Sequence, residues 1–291
     1  MVLSNNDGCI VSRTDEAKKL GVGMAAPYYQ NKEIIERNGV AVFSSNYNLY
    51  GDLSMRVMDT LRELVGEEQV EVYSVDEAFL DLERLSGKAL QEASVHIKET
   101  VEQWTGIAVS VGVGPSKVLS KVANRLSKKD KQGTKGVLVL DTDEKIKDAL
   151  QRTAVDDLWG VGRQYAMKLH HLGIDNGWQL RNMPEDWAQK NMGGVVGVRM
   201  IRELNGISCI PMKDPLETKK MIATTRMFGK PVFDLASIRE AIATYTARAA
   251  EKLRRQYSAA QMIQVFLVTN GTRNGKYEYN PQSRYQYSTL P

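Results

Sequence analysis

The run Val70-Glu71-Val72-Tyr73-Ser74-Val75-Asp76-Glu77-Ala78-Phe79-Leu80-Asp81-Leu82 sets two adjacent carboxylates, Asp76 and Glu77, inside an otherwise apolar, strand-like stretch. Val70 and Val72, then Phe79, Leu80 and Leu82, are expected to bury against a core, with Ser74 to Ala78 as the tight bend of a hairpin. Neighbouring carboxylates on a short bend diverge, yet each can reach one hard cation with its oxygens. Like charges this close repel unless a cation lies between them, which favours bound Mg²⁺. In phosphoryl transfer such ions activate the attacking oxygen and neutralise the leaving group. The other reading these residues leave open is an acidic hairpin tip facing water.

A chain of 291 residues with 42% hydrophobic residues has room for two or three compact domains, each with a core. Its net charge is only +4, so any attraction to nucleic acid depends on where Lys and Arg sit. The two cysteines, Cys9 and Cys209, give neither a metal-ligand spacing nor a disulfide framework, which suits a reducing, cytoplasmic setting. Neither a signal peptide nor a membrane-length apolar run is visible.

Along the chain, Met1 to Leu3 reads as a short buried strand entered without lead-in residues. Residues 12 to 21 read as a short helix, capped by Ser12 or Thr14 and ended by Gly21. Pro27 to Ile35 forms another short element. Leu49, Leu53, Val57, Leu61 and Leu64 mark an amphipathic helix ending near Gly66. A helix from about Ser86 to Trp104 follows, with Leu90, Ile97, Val101 and Trp104 on one face, then a strand from Ile107 to Val111. The hairpin and this strand are expected to share one sheet.

From Pro115-Ser116 the sequence turns helical, with Val118, Leu119, Val122 and Leu126 as an apolar stripe. Lys117, Lys121, Arg125 and Lys128 recur along another face, and no acid interrupts residues 116 to 129. That basic ridge reads either as a solvated face or as a phosphate-binding one, with free N–H groups at the helix start suited to phosphate oxygens. In Leu158-Trp159-Gly160-Val161-Gly162-Arg163, followed by Tyr165, Leu169 and Leu172, the glycines allow close backbone approach to a phosphate ahead of a helix N-terminus. His96, His170 and His171 read as helix-surface residues. Pro211, Pro215 and the charges around them read as a linker. A long helix (Ile238, Ile242, Tyr245, Ala249, Leu253) and a strand from Met262 to Thr269 come next. Lys252, Arg254 and Arg255 suit that helix's C-terminus. The alternating tail with Tyr277, Tyr279, Tyr285 and Tyr287 fits a sheet edge or a stacking surface.

Tyr73-Ser74-Val75-Asp76-Glu77-Ala78 resembles the palm motif of Y-family translesion DNA polymerases. Leu3 to Cys9, Phe43 to Tyr47 and Val155 to Gly162 extend the resemblance to the UmuC-like branch, over essentially the whole chain. The resemblance implies an α+β, multidomain right-hand polymerase: fingers 1–47, palm 48–152, helical thumb 153–207 with a helix-hairpin-helix, linker 208–221 and a partial little finger 222–291. It implies error-prone translesion synthesis in the SOS response, by two-metal nucleotidyl transfer to a primer 3′-hydroxyl. Asp76 would bridge two Mg²⁺ ions and Glu77 would complete the ion that activates the hydroxyl. Lys18 and Lys128 would meet the incoming triphosphate. Lys117, Lys121, Gly160, Gly162, Arg163 and Arg226 would contact DNA, with Arg226 on the strand Thr224 to Gly229 that opens the little finger. Implied partners are primer-template DNA, a deoxynucleoside triphosphate, the processed UmuD dimer, a recombinase filament and the sliding clamp.

Against the family pattern, the first palm strand, with its metal-binding Asp and aromatic steric gate, is absent, as is the distal tail with the clamp motif. Ser116 stands where the family carries Asn, and Lys128-Lys129-Asp130-Lys131-Gln132-Gly133 where it carries Lys-Pro-x-Gly. The expectation is therefore a polymerase truncated at both ends, whose alternative role is a catalytically inactive DNA-binding fragment. A nuclease is a weaker rival, since no further acidic cluster supports it.

Overall fold

In the computed structural model of the chain, residues 1–4, 8–213, 220–226, 228 and 232–267 are described, with the backbone of 284–285. The chain divides into two compact units, Met1–Pro215 and Leu216–Pro291.

In the first unit, β1 (Val2–Leu3) runs antiparallel to β2 (Ile10–Ser12). Helix α1 (Asp15–Lys19) is shorter than the sequence suggested because Ser12 is spent in β2, leaving Thr14 to cap it by accepting the Ala17 N–H. Next come α2 (Tyr28–Arg37) and β3 (Phe43–Ser44), which lies parallel to β1. Met1, Leu3, Ile10, Ala17, Val22 and Ile35 form a small core beneath this sheet.

Helix α3 (Tyr47–Val65) starts where Asn46 accepts the Leu49 N–H and stops at Gly66, whose φ of 102° an L side chain adopts only under strain. The hairpin forms as expected, β4 (Val70–Val72) pairing antiparallel with β5 (Ala78–Leu80) and Glu71 facing Phe79 in register. Helix α4 (Gly87–Thr105) follows and ends at Gly106 in the left-handed region. Val70 packs with Met58 and Leu61 of α3 and Ile97 and Val101 of α4. Val72, Leu49 and Trp104, expected in that core, are exposed instead. The polar residue between the valines, Glu71, is the buried one, so both faces of β4 are covered near its start.

The strand expected at Ile107 to Val111 begins later, as β6 (Val111–Val113), and pairs in parallel with β7 (Val137–Val139). The reason lies in side chains. The Val109 N–H goes to Glu102 and the Ser110 carbonyl accepts from Asn124, so these backbone groups are unavailable to a neighbouring strand. Among the described residues the hairpin and β6 thus belong to separate two-stranded sheets, not to one.

Between β6 and β7, α5 (Lys117–Lys129) and the short α6 (Lys131–Thr134) cross over. A Cβ on Gly112 would sit 2.0 Å from the Asn124 nitrogen, so α5 lies directly on β6. The stripe Val118, Leu119, Val122 and Leu126 is buried as read, in a core shared with α7 (Asp143–Gln151), α8 (Arg163–His171), α9 (Gly177–Arg181), α10 (Glu185–Asn191) and α11 (Val195–Leu204). That core continues without a break across residue 152.

The second unit contains α12 (Leu235–Arg255), with Asp234 accepting the Ser237 N–H, and an antiparallel pair, β8 (Ile263–Gln264) with β9 (Arg284–Tyr285). Of the strand expected at Thr224 to Gly229, the described residues 224–226 and 228 join no ladder. Tyr277, Tyr279 and Tyr287 lie outside the described residues.

Candidate active site

Backbone bonds close the turn between β4 and β5: the Tyr73 and Ser74 N–H groups both donate to the Glu77 carbonyl at 3.0 Å. The Ser74 hydroxyl donates to Asp76 Oδ1 at 2.7 Å and accepts the Asp76 N–H at 3.3 Å, which fixes an otherwise exposed carboxylate. Glu77 points differently, its Oε1 taking Lys121 Nζ at 2.5 Å. The two neighbouring carboxylates are therefore held apart, one open to solvent and one on a cation.

Both lie on an open cleft of about 2080 Å³ that Lys18, Lys121 and Lys128 also line. Lys128 is exposed and has no charged partner among the described residues, whereas Lys18 pairs with Asp15 at 2.7 Å. The hydrogen bond from Lys18, reinforced by its charge, holds the Asp15 carboxyl below the usual carboxylate range.

The basic ridge of α5 is not a free cationic surface. Lys117 is buried, with only 8% of its surface exposed, and pairs with Glu71. Lys121 pairs with Glu77, and Arg125 and Lys129 share Asp157. Burial opposes ionisation of Asp157, yet the hydrogen bonds from Lys129 and Arg125 outweigh it and keep its carboxyl below the ordinary range. The expected open N-terminus of α5 is also filled. Ser116 caps the Leu119 N–H, and the carboxylate of Glu203, fully buried, takes the Val118 N–H at 3.2 Å. A phosphate has no room there.

Aromatic contacts missed by periodicity join the β4–β5 turn to the 158–163 turn. Tyr73 meets Phe79 and Trp159 edge-on, at 5.5 and 5.7 Å between centroids, and the Trp159 indole N–H donates to the Tyr73 hydroxyl at 3.2 Å. Lys117 lies 4.8 Å and Lys121 5.6 Å from the Phe79 and Tyr73 ring centres. The sequence signal was there, an aromatic beside each glycine or acidic motif, but nothing local pairs them.

In the 158–163 turn, Gly160 has φ +95°, and Gly162 precedes α8 without a side-chain cap. Arg163 is exposed, with no charged partner among the described residues. Gly160→Ala is expected to cost about 1–2 kcal/mol, mostly from the left-handed backbone, since the Met200 methyl that its Cβ would meet can move. Thermal unfolding of the variant checks this.

His170 lies on a helix surface, as read, but it also bridges two carboxylates, Nδ1 to Asp175 and Nε2 to Asp156, each at 2.6 Å. The hydrogen bonds to Asp175 and then Asp156 raise its pKa above 6.5. A raised folded pKa stabilises fully below the unfolded value and is lost as pH rises through the folded one. The melting-temperature gap between the parent and His170→Gln should therefore be wide near about pH 6 and narrow by about pH 9. An equal gap at both would contradict the bridge.

Arg226, in the second unit, is exposed. The site residues of the first unit thus divide: Asp76, Glu77, Lys18, Lys121 and Lys128 line one cleft together with Lys117, which is buried on Glu71, whereas Gly160, Gly162 and Arg163 do not line it. Asp76 and Glu77 offer only hard oxygens, and Mg²⁺ is ordinarily held by one or two carboxylates with substrate phosphates and water completing its shell. The donor set fits that ion.

The impB/mucB/samB family model matches residues 1–125, and the model of the C-terminal domain of the same family matches residues 219–289. Protein UmuC of Salmonella typhimurium is 40% identical over 93% of this chain and 64% of its own length. Protein MucB of Escherichia coli is 36% identical over 92% of this chain and 63% of its own. The chain thus spans a little under two thirds of the length of these two relatives. Among solved structures, a Y-family DNA polymerase chimera built from Dbh and Dpo4 matches with TM-score 0.66 and 22% identity over 88% of this chain and 73% of that one. An insertion ternary complex of Dbh DNA polymerase matches with TM-score 0.58 and 23% identity, over 86% and 72%. These likenesses establish the α+β right-hand polymerase fold. By sequence and by fold together, the chain belongs to the impB/mucB/samB family, the UmuC-like branch of the Y-family DNA polymerases.

Proposed function

We propose that this chain serves error-prone translesion DNA synthesis during the SOS response, transferring a nucleotide from a deoxynucleoside triphosphate to a primer 3′-hydroxyl opposite damaged template. The observation that carries the reading is the cleft, where an exposed Asp76 and a cation-paired Glu77 face the lysines Lys18, Lys121 and Lys128. Solved relatives support it: one is an insertion ternary complex and another a DinB-family error-prone polymerase.

Asp76 and Glu77 would hold Mg²⁺, which when bound neutralises triphosphate charge and favours the deprotonated primer hydroxyl. Ser74 orients Asp76 by its 2.7 Å hydrogen bond. Lys121 holds the Glu77 carboxylate by their ion pair on the cleft. Lys128, which has no carboxylate partner among the described residues, offers its ammonium to a phosphate oxygen, and Lys18 does so by leaving Asp15. Gly160, Gly162 and Arg163 would seat a duplex phosphate at the open start of α8, and Arg226 another on the second unit. Lys117 serves the DNA interface only indirectly, by holding the hairpin. The division into fingers, palm, thumb and little finger, cytoplasmic location, and the UmuD dimer, recombinase filament and sliding clamp as partners belong to the same proposal. Among the described residues no helix is long and apolar enough to cross a membrane.

One observation favours a second reading, primer-template binding without chemistry: among the described residues no group of three or more His, Cys, Asp or Glu is arranged so that it could hold a metal ion. Single-nucleotide primer extension with Mg²⁺ separates the two. Extension supports synthesis; tight binding without extension supports the second reading. In either case Arg163→Ala should weaken duplex binding equally on unrelated sequences and flatten the salt dependence by about one unit of slope. Titrations at several salt concentrations check this, and a sequence-dependent loss would contradict it.

A further inference from the structure

The segment 208–213, read from its prolines as the start of a linker, is fastened along its length by three buried charged side chains of the first unit. Glu203 Oε1 accepts the Cys209 N–H at 2.5 Å and the Ile210 N–H at 3.0 Å. Lys117 Nζ donates to the Pro211 carbonyl at 2.9 Å, and Glu71 Oε2 accepts the Lys213 N–H at 3.0 Å. Glu203, Glu71 and Lys117 are exposed by only 0%, 4% and 8%. The other atoms of these groups tie the segment to the active-site elements: Glu203 to the start of α5, Glu71 through β4 to the hairpin, Lys117 to both. Lys213 also brings its ammonium within 5.9 Å of the Tyr73 ring centre, beside the turn that carries Asp76 and Glu77.

Buried charges are retained only where every one is paired, and here the strap's own backbone supplies the remaining partners. Four main-chain groups of an irregular segment, Cys209, Ile210, Pro211 and Lys213, are satisfied by no ladder and no helix, only by these side chains. Without them these four groups have no hydrogen-bond partner from the protein among the described residues.

We propose that residues 208–213 are a docked strap keyed by Glu71, Lys117 and Glu203. In this role Glu71 and Lys117 are positioning residues: they lock the chain leaving the first unit beneath the hairpin that bears Asp76 and Glu77. The Lys117 charge does the locking, because one ammonium joins the Pro211 carbonyl to the Glu71 carboxylate that holds Lys213. The assignment stands apart from the proposed chemistry and holds for a polymerase or a DNA-binding chain alike.

Amide hydrogen exchange on the full chain tests it. Lys117→Met keeps the volume but removes the ammonium, and should speed exchange at Lys213 by about tenfold or more. Lys117→Arg, which keeps the charge and its donors, should leave exchange near the parent's. Should Lys117→Met fold poorly because Glu71 is left unpaired, the double variant Glu71→Gln with Lys117→Met removes both charges and should show the same loss of protection. Unchanged protection over 208–213 in the Met variants, or equal acceleration in Arg and Met, would overturn the proposal, since packing alone would then hold the strap.

Discussion

Asp76→Ala is expected to lower Mg²⁺-dependent nucleotide incorporation by at least about a thousandfold, while changing duplex affinity by no more than about threefold. The large effect follows from the geometry of the turn. Asp76 is the one carboxylate there not already neutralised by a lysine, and Ser74 holds it in place. The small effect on binding follows from its exposure: removal leaves no buried group unpaired, and the turn at Gly160–Gly162, proposed above to seat a phosphate, does not line the cleft. Ser74→Ala should cost far less, about three- to tenfold, because it frees the carboxylate without deleting it. Single-turnover extension beside a binding titration reads both. A loss of affinity matching the loss of incorporation would make Asp76 a folding or binding residue.

The second large effect concerns stability. Glu203→Leu should destabilise the first unit by about 3–5 kcal/mol, a fall in melting temperature of roughly 10 °C for a unit of this size. The leucine would fill most of the volume but strand three backbone donors, those of Val118, Cys209 and Ile210. Glu203→Gln keeps an acceptor oxygen and should cost about half as much. Equal, small losses in both would mean that water replaces the carboxylate.

What was legible in the sequence was local. Thr14 caps the helix it was placed beside, Ser116 caps the helix read to start there, Gly66 ends the helix expected to stop near it, and the valines and phenylalanine mark the hairpin. The motif around Asp76 and Glu77, read by resemblance, falls on the cleft with the lysines expected near it. What periodicity could not show is pairing across distance. It said nothing of Glu71 between its two valines, yet Lys117, far along the chain, pairs with it in a buried place. It gave α5 an open, basic face, and carboxylates from the hairpin, from Asp157 and from α11 fill it. It began a strand at Ile107 because the residues are β-branched, without seeing that Glu102 and Asn124 would claim the backbone. Each departure is a side chain from another element satisfying a group that local reasoning left free.

In the proposed function Asp76 and Glu77 hold a divalent ion at the lysine-lined cleft. Binding of Mn²⁺, followed by electron paramagnetic resonance in the presence of a non-hydrolysable deoxynucleoside triphosphate, tests it without requiring turnover. The parent chain should bind Mn²⁺ with the nucleotide, and both Asp76→Ala and Glu77→Ala should weaken that binding by about tenfold or more. Mn²⁺ binding equal in the parent and both variants would place the ion elsewhere and contradict the account.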